Sequence, residues 1–182
     1  MTTYNTSSDA ANTMIRAFLT KVGEFYLGRT FNTGSGWGKE RWQRIKTEAF
    51  NSQCAFCHRE NERITIEHLV MFNKDQCGLH HPGNIVPCCT DCNKRKKGEE
   101  GNYYNWDEQL LDICPNITEY RARKLTIQNH IENEDYPNLT DDEISSLRAV
   151  ASHLYNSTKT ELDKSLGLYK EIDRSLVRRR SH

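Results

Sequence analysis

The 182-residue chain has no apolar run approaching the roughly 18–20 residues that span a bilayer, so no membrane role is expected. It has no net charge, because 25 Lys and Arg balance 25 Asp and Glu. That argues against a nonspecific polyanion binder driven by bulk charge. There is no internal repeat and no low-complexity linker. The length therefore suits one compact domain, or a small one with helical additions. The stretch MTTYNTSSDAANTMIRAFLT lacks a basic region followed by an apolar one, so no secretory signal is read. A reducing, cytoplasmic compartment is the expectation.

Charge is present but uneven. Residues 1–53 carry a net +3, 54–98 a net +2, 99–145 a net −9 and 146–182 a net +4. A surface for a polyanion would use the first half and the end, and would avoid the acidic middle.

Apolar residues at steps of three and four (Ala10, Met14, Phe18, Val22, Phe25) predict a helix over 9–27, capped at Ser8 or Asp9. The glycine-rich GRTFNTGSGWGK predicts a loop, followed by a helix near 39–51. The β-branched RITIEHLV reads as a strand, and GLHHPGNIVPCC as a loop with a short second strand. TDCNKRKKGEE is expected to start a helix at Thr90 or Asp91. The remainder reads as helices over 106–113, 117–134 and 140–178, the last either continuous or broken near Gly167. Its apolar stripe predicts an interface, either to a second copy or to the helices over 106–134.

Seven cysteines include two C-x2-C pairs, Cys54/Cys57 and Cys89/Cys92. Each pair can present two sulfurs from one tight turn, and two pairs make the closed tetrahedral thiolate site that structural zinc prefers. Cys88 adjoins Cys89, and the spacing favours Cys89. Cys77 and Cys114 read as apolar thiols. A zinc ion with four sulfur ligands has no open position, so catalytic chemistry must lie elsewhere.

Between and just after the pairs stand Glu67-His68, Gly83-Asn84 and Asn93, then Lys96. Together with the cysteines this order resembles the HNH, or ββα-metal, nuclease family in its four-cysteine form. The resemblance covers about 45 residues. It departs from the usual pattern at Glu67, where Asp is common, at Asn93, where His is frequent, and in lacking a proline two residues after His68. The resemblance implies a mostly helical α+β fold: a small zinc-stapled ββα-metal core over 53–100, flanked by an N-terminal helical segment (1–52) and a C-terminal helical region (101–182).

The resemblance also implies a metal-dependent DNA endonuclease, of restriction or phage-defence type, acting on double-stranded DNA. His68 would be the general base, since imidazole titrates near operating pH. Glu67 and Asn93 would hold a catalytic Mg²⁺ or Mn²⁺, and Asn84 would fix the loop and orient His68. Lys94, Arg95, Lys96 and Lys97 would lie along the DNA backbone. Lys39 and Arg41 belong to FNTGSGWGKERWQRIK, which reads equally as a DNA-contacting element or as packing around Trp37 and Trp42. His80 and His81 read as loop residues. A homodimer and a partner ATPase are further expectations. The alternative is a noncatalytic zinc-ribbon DNA-binding or adaptor protein.

Overall fold

The structure is a computed structural model that describes residues 6–60, 63–99 and 101–180, the last four by their backbone alone. Among the described residues the chain is a mostly helical α+β protein with one two-stranded antiparallel sheet. In order, the elements are α1 (Ser7–Leu27), α2 (Gly36–Arg44), a π-helical turn (Ile45–Ala49), β1 (Ile64–His68), a 3-10 turn (Pro82–Asn84), β2 (Ile85–Cys89), α3 (Trp106–Ile113), α4 (Ile117–Asn133) and α5 (Asp141–Arg180). The chain forms two compact units.

The larger unit comprises residues 19–72 and 78–139. In its sheet Ile64 pairs with Cys89 and His68 with Ile85, so the end of β1 lies beside the start of β2. All five β2 residues are buried. They join a core of Phe31, Trp42, Ile45, Phe50, Phe56, Leu69, Leu110 and Ile127. Fully burying a side chain such as Phe56 contributes about 1.5–3 kcal/mol.

Buried polar groups in this core are largely satisfied. His130 bonds the carbonyls of Pro82 (3.2 Å) and Ile85 (3.0 Å) through Nε2. Arg123 Nη1 donates to Phe56 O at 2.7 Å, and its Nη2 pairs with Glu119. Trp42 is buried and Trp37 packs partly buried against Phe31, so both tryptophans serve packing here. Arg41 pairs with Glu134 at 2.8 Å, while Lys39 is exposed.

The smaller unit takes in the described residues 6–18, 73–77 and 140–180. Ala11, Ile15 and Ala151 are buried in it, and Ser7 Oγ donates to Asp163 Oδ1 at 2.7 Å. Arg148 Nε reaches Asp75 O at 2.7 Å. α5 continues through Gly167 without a break. Farther along, Leu162, Leu166, Tyr169, Ile172 and Leu176 are exposed.

Two expectations need correction. α1 begins earlier than predicted, at a capping box in which Asp9 N–H donates to Thr6 Oγ1 (3.2 Å) and Thr6 N–H to Asp9 Oδ2 (3.1 Å). More consequentially, no helix starts at Thr90 or Asp91. Asn93 N–H donates to Cys89 O at 2.9 Å, but the turn is not propagated. The chain instead extends, Lys97 bridges to Tyr103, and the reversal between them uses Gly101 at φ +80°. The next helix is α3, capped by Asn105 and Glu108 in a second capping box. The competing interaction is the inward course of Arg95, described below.

Candidate functional site

The four cysteines expected to act together do converge. The sulfurs of Cys54, Cys57, Cys89 and Cys92 all lie within 4.8 Å of one another. Among the described residues this is the one group of three or more His, Cys, Asp or Glu side chains so clustered. With a Zn–S bond near 2.3 Å, a tetrahedron has a sulfur–sulfur edge of about 3.8 Å. The Cys57–Cys89 sulfur separation is 3.8 Å. The donor set and its size are thus consistent with a structural zinc site.

The turns that present the sulfurs are built locally. The first is closed by His58 N–H donating to Cys54 O (2.8 Å) and Cys54 N–H donating to Arg59 O (3.2 Å), with His58 at φ +57°. Ala55 N–H donates to Pro87 O at 2.8 Å and ties this turn to β2. At the second turn, Gln109 Nε2 donates to Cys92 O at 2.6 Å. Cys88 is fully buried beside the cluster, its thiol donating to Cys89 O. Cys77 and Cys114 stand apart from the cluster, and burial raises both thiols.

The loop from β1 to β2 is organised by Asn84, which is 1% exposed. Its Oδ1 accepts from Val70 N–H at 2.7 Å, and its Nδ2 donates to Val70 O (3.0 Å) and Leu79 O (2.8 Å). One amide side chain thereby joins both ends of the loop. Gly78 is required beneath it: a Cβ there would meet Val70 O at 1.9 Å.

His68 stands at the end of β1. Its ring stacks on Phe72, with centroids 4.6 Å apart and planes inclined by 14°. Its Nε2 lies 3.0 Å from Nδ1 of His80. Burial lowers the His80 pKa, opposed by the Glu24 charge. His81 is occupied differently: its Nδ1 accepts from Gly83 N–H at 3.1 Å, and burial pushes it down to about 4.

Glu67 and Asn93 lie on the face of β1 that carries Thr65. Asn93 Nδ2 donates to Thr65 Oγ1 (2.7 Å) and Ile66 O (3.3 Å). Glu67 Oε1 accepts from Arg95 Nη2 at 2.6 Å and Nε at 3.1 Å. Arg95 Nη2 also donates to the carbonyls of His68 (2.9 Å) and Leu69 (3.2 Å), and Nη1 to Tyr104 O (3.1 Å). Burial raises the Glu67 pKa and the Arg95 bonds oppose that rise. The oxygens of Glu67 and Asn93 outside these bonds, Oε2 and Oδ1, are hard donors of the kind Mg²⁺ or Mn²⁺ takes. The charge of Glu67, however, is already met by a guanidinium.

The basic run therefore separates into two groups. The Arg95 side chain is 4% exposed and faces inward, whereas Lys94, Lys96 and Lys97 are exposed. Lys96 pairs with Asp112 at 2.5 Å, and Lys97 lies 4.9 Å from the Tyr103 ring centre. Lys94 and Lys96 join Arg59, Asp91 and Asp112 around a cleft of about 480 Å³ next to Cys57 and Cys92. The His80 partnership and the inward Arg95 were not anticipated from sequence. The adjacent pair His80-His81, in a loop that returns to β1, is the signal that could have suggested the first. Among the described residues, no helix is long and apolar enough to cross a membrane. Comparison with protein-family models, with curated proteins and with solved structures finds no match to this chain.

Proposed function

We propose that the protein is a metal-dependent DNA endonuclease of the HNH type, in which a zinc ion on Cys54, Cys57, Cys89 and Cys92 is purely structural. The observation that carries the reading is the placement of His68. It sits at the end of a short strand, is held by Phe72 and His80, and its loop is closed by Asn84. A histidine so fixed is suited to take a proton from a water attacking a phosphodiester. Glu67 and Asn93 would hold the catalytic divalent ion, which supplies Lewis-acid stabilisation of the phosphate when bound. Exposed Lys94, Lys96 and Lys97 would meet phosphate oxygens through charge. Restriction or phage defence, with a partner ATPase, is the biological setting the resemblance suggests.

One observation favours a second reading. The buried Arg95–Glu67 pair neutralises the carboxylate that a divalent ion would use. On that basis the protein would be a noncatalytic zinc-ribbon DNA-binding or adaptor protein. Plasmid nicking separates the two. The nuclease reading expects conversion of supercoiled to open-circular DNA with Mg²⁺ or Mn²⁺, none with EDTA, and a loss of about 10²–10⁴ in rate for His68→Ala. Equal cutting by His68→Ala and the parent chain would overturn the assignment of the base. DNA binding without any cutting would establish the second reading.

A further inference from the structure

His68 is not held by backbone alone. Its ring contacts two others, Phe72 and His80, and His80 in turn lies 5.0 Å from the ring of Phe31. Phe31 N–H donates to Glu24 Oε1 at 3.1 Å, and Lys21 Nζ holds the other carboxylate oxygen at 2.6 Å. α1 approaches the His80 backbone closely enough that a Cβ on Gly23 would meet His80 O at 2.4 Å. Glu24, Phe31, His80 and His68 thus form a continuous series from α1 to the end of β1.

Two neutral imidazoles whose nitrogens lie 3.0 Å apart share one hydrogen. Either His68 Nε2 donates to His80 Nδ1, or the reverse. The Glu24 charge acts to raise the basicity of His80, against burial, and so favours His80 as the acceptor. The hydrogen then belongs to His68 Nε2, and the His68 lone pair belongs to Nδ1. The logic is that of any base oriented by a third group: the bond at one ring nitrogen decides which form the other takes.

Resting on the nuclease reading for its chemical role, we propose that His80, backed by Glu24, is a positioning residue that holds His68 in the Nε2–H tautomer with its lone pair on Nδ1. During hydrolysis a water proton passes to Nδ1 and the water oxygen bonds phosphorus. The ester P–O bond breaks with its electron pair on the departing oxygen, which takes a proton from solvent. The His68 imidazolium then returns its proton to solvent. His80 touches neither water nor phosphate in this scheme.

The test reads the tautomer directly, so it does not depend on cleavage. Long-range ¹H–¹⁵N spectra of the full, zinc-loaded chain at pH 8 are expected to show a protonated Nε2 and an unprotonated Nδ1 on His68. His80→Leu should turn this into a tautomer mixture while zinc content and the near-ultraviolet spectrum stay unchanged. In the nicking assay the same variant should lose about 10- to 100-fold in kcat with KM unchanged. His80→Gln, whose amide oxygen can accept from Nε2–H, should restore the tautomer and most of the rate. Glu24→Gln should move the tautomer population part of the way. A protonated Nδ1 on His68 in the parent chain would overturn the proposal. So would an unaltered tautomer in His80→Leu. A chain that shows the tautomer and its loss yet never cuts DNA would refute the nuclease reading and leave the pairing standing.

Discussion

Replacing Arg95 by Met removes the cation of the Glu67 pair while keeping most of the side-chain volume. Arg95 is 4% exposed and Glu67 14% exposed as side chains, so the pair is largely withdrawn from water. The substitution breaks two bonds to Glu67 Oε1 and strips donors from the carbonyls of His68, Leu69 and Tyr104. Breaking one partner of such a buried pair costs about 3–5 kcal/mol, against about 0–1 kcal/mol for a surface pair. For a chain of this size that corresponds to a melting point lower by on the order of 10 °C. The loss should depend on pH in a definite direction. Burial already raises the Glu67 pKa in the folded state, and Arg95 opposes that rise. Without Arg95 the folded-state pKa climbs further above the unfolded value. The folded variant then binds more protons than the unfolded chain between the two values, so stability falls as pH rises through that window. Urea denaturation of the zinc-loaded parent and variant at several pH values measures both effects. The double variant Glu67→Gln/Arg95→Met should recover part of the loss, since no unpaired charge is left behind. A loss below 1 kcal/mol, flat with pH, would refute the inward placement of Arg95 and return it to the surface with its lysine neighbours.

Substituting Ser for any one of Cys54, Cys57, Cys89 or Cys92 should lower zinc content, melting temperature and solubility together, because metal binding is coupled to folding. Metal analysis of purified, folded protein should find about one zinc per chain. Neutralising Lys94 and Lys97 together should weaken DNA binding about equally across sequences. It should also reduce the salt dependence by roughly two units of slope at most, as measured by fluorescence anisotropy. His58→Gly should be neutral to stabilising by up to about 1 kcal/mol in thermal melts, because His58 holds φ +57° at the first metal turn. A clear destabilisation would show that the imidazole itself contributes there.

The helices were legible because their apolar residues recur at helical spacing, whether that stripe is buried or, as along the far half of α5, exposed, and because ends such as Asn105 with Glu108 carry recognisable caps. The four clustered cysteines were legible from spacing, and Cys89 rather than Cys88 is the one that joins the cluster. The stretch after Cys92 was not. A run of four basic residues announces charge but not direction, and the one that turns inward is selected by Glu67, 28 positions earlier. That pairing draws the chain away from the helix its composition suggests. His80 was hidden for a related reason. Its partner lies 12 positions away, and a loop of 16 residues between strands carries no periodicity from which to infer contacts.

The two metal turns also define a ring of chain. Cys57 and Cys89 are 32 positions apart, and a metal bridging them closes that span covalently in all but name. By the chain-entropy relation used for cross-links, closing such a loop removes about 4 kcal/mol of freedom from the unfolded chain. His68, His80 and Asn84 all lie inside the ring, and Arg95 lies just outside it. An ion held by the four cysteines would act as a clasp on the segment that carries the histidine pair. Opening it with a chelator or a thiol oxidant would slacken the whole enclosed segment at once, far from any atom that touches His68. Metal supply and thiol redox state would then be physical handles on His68 and His80, which belong to neither cysteine turn.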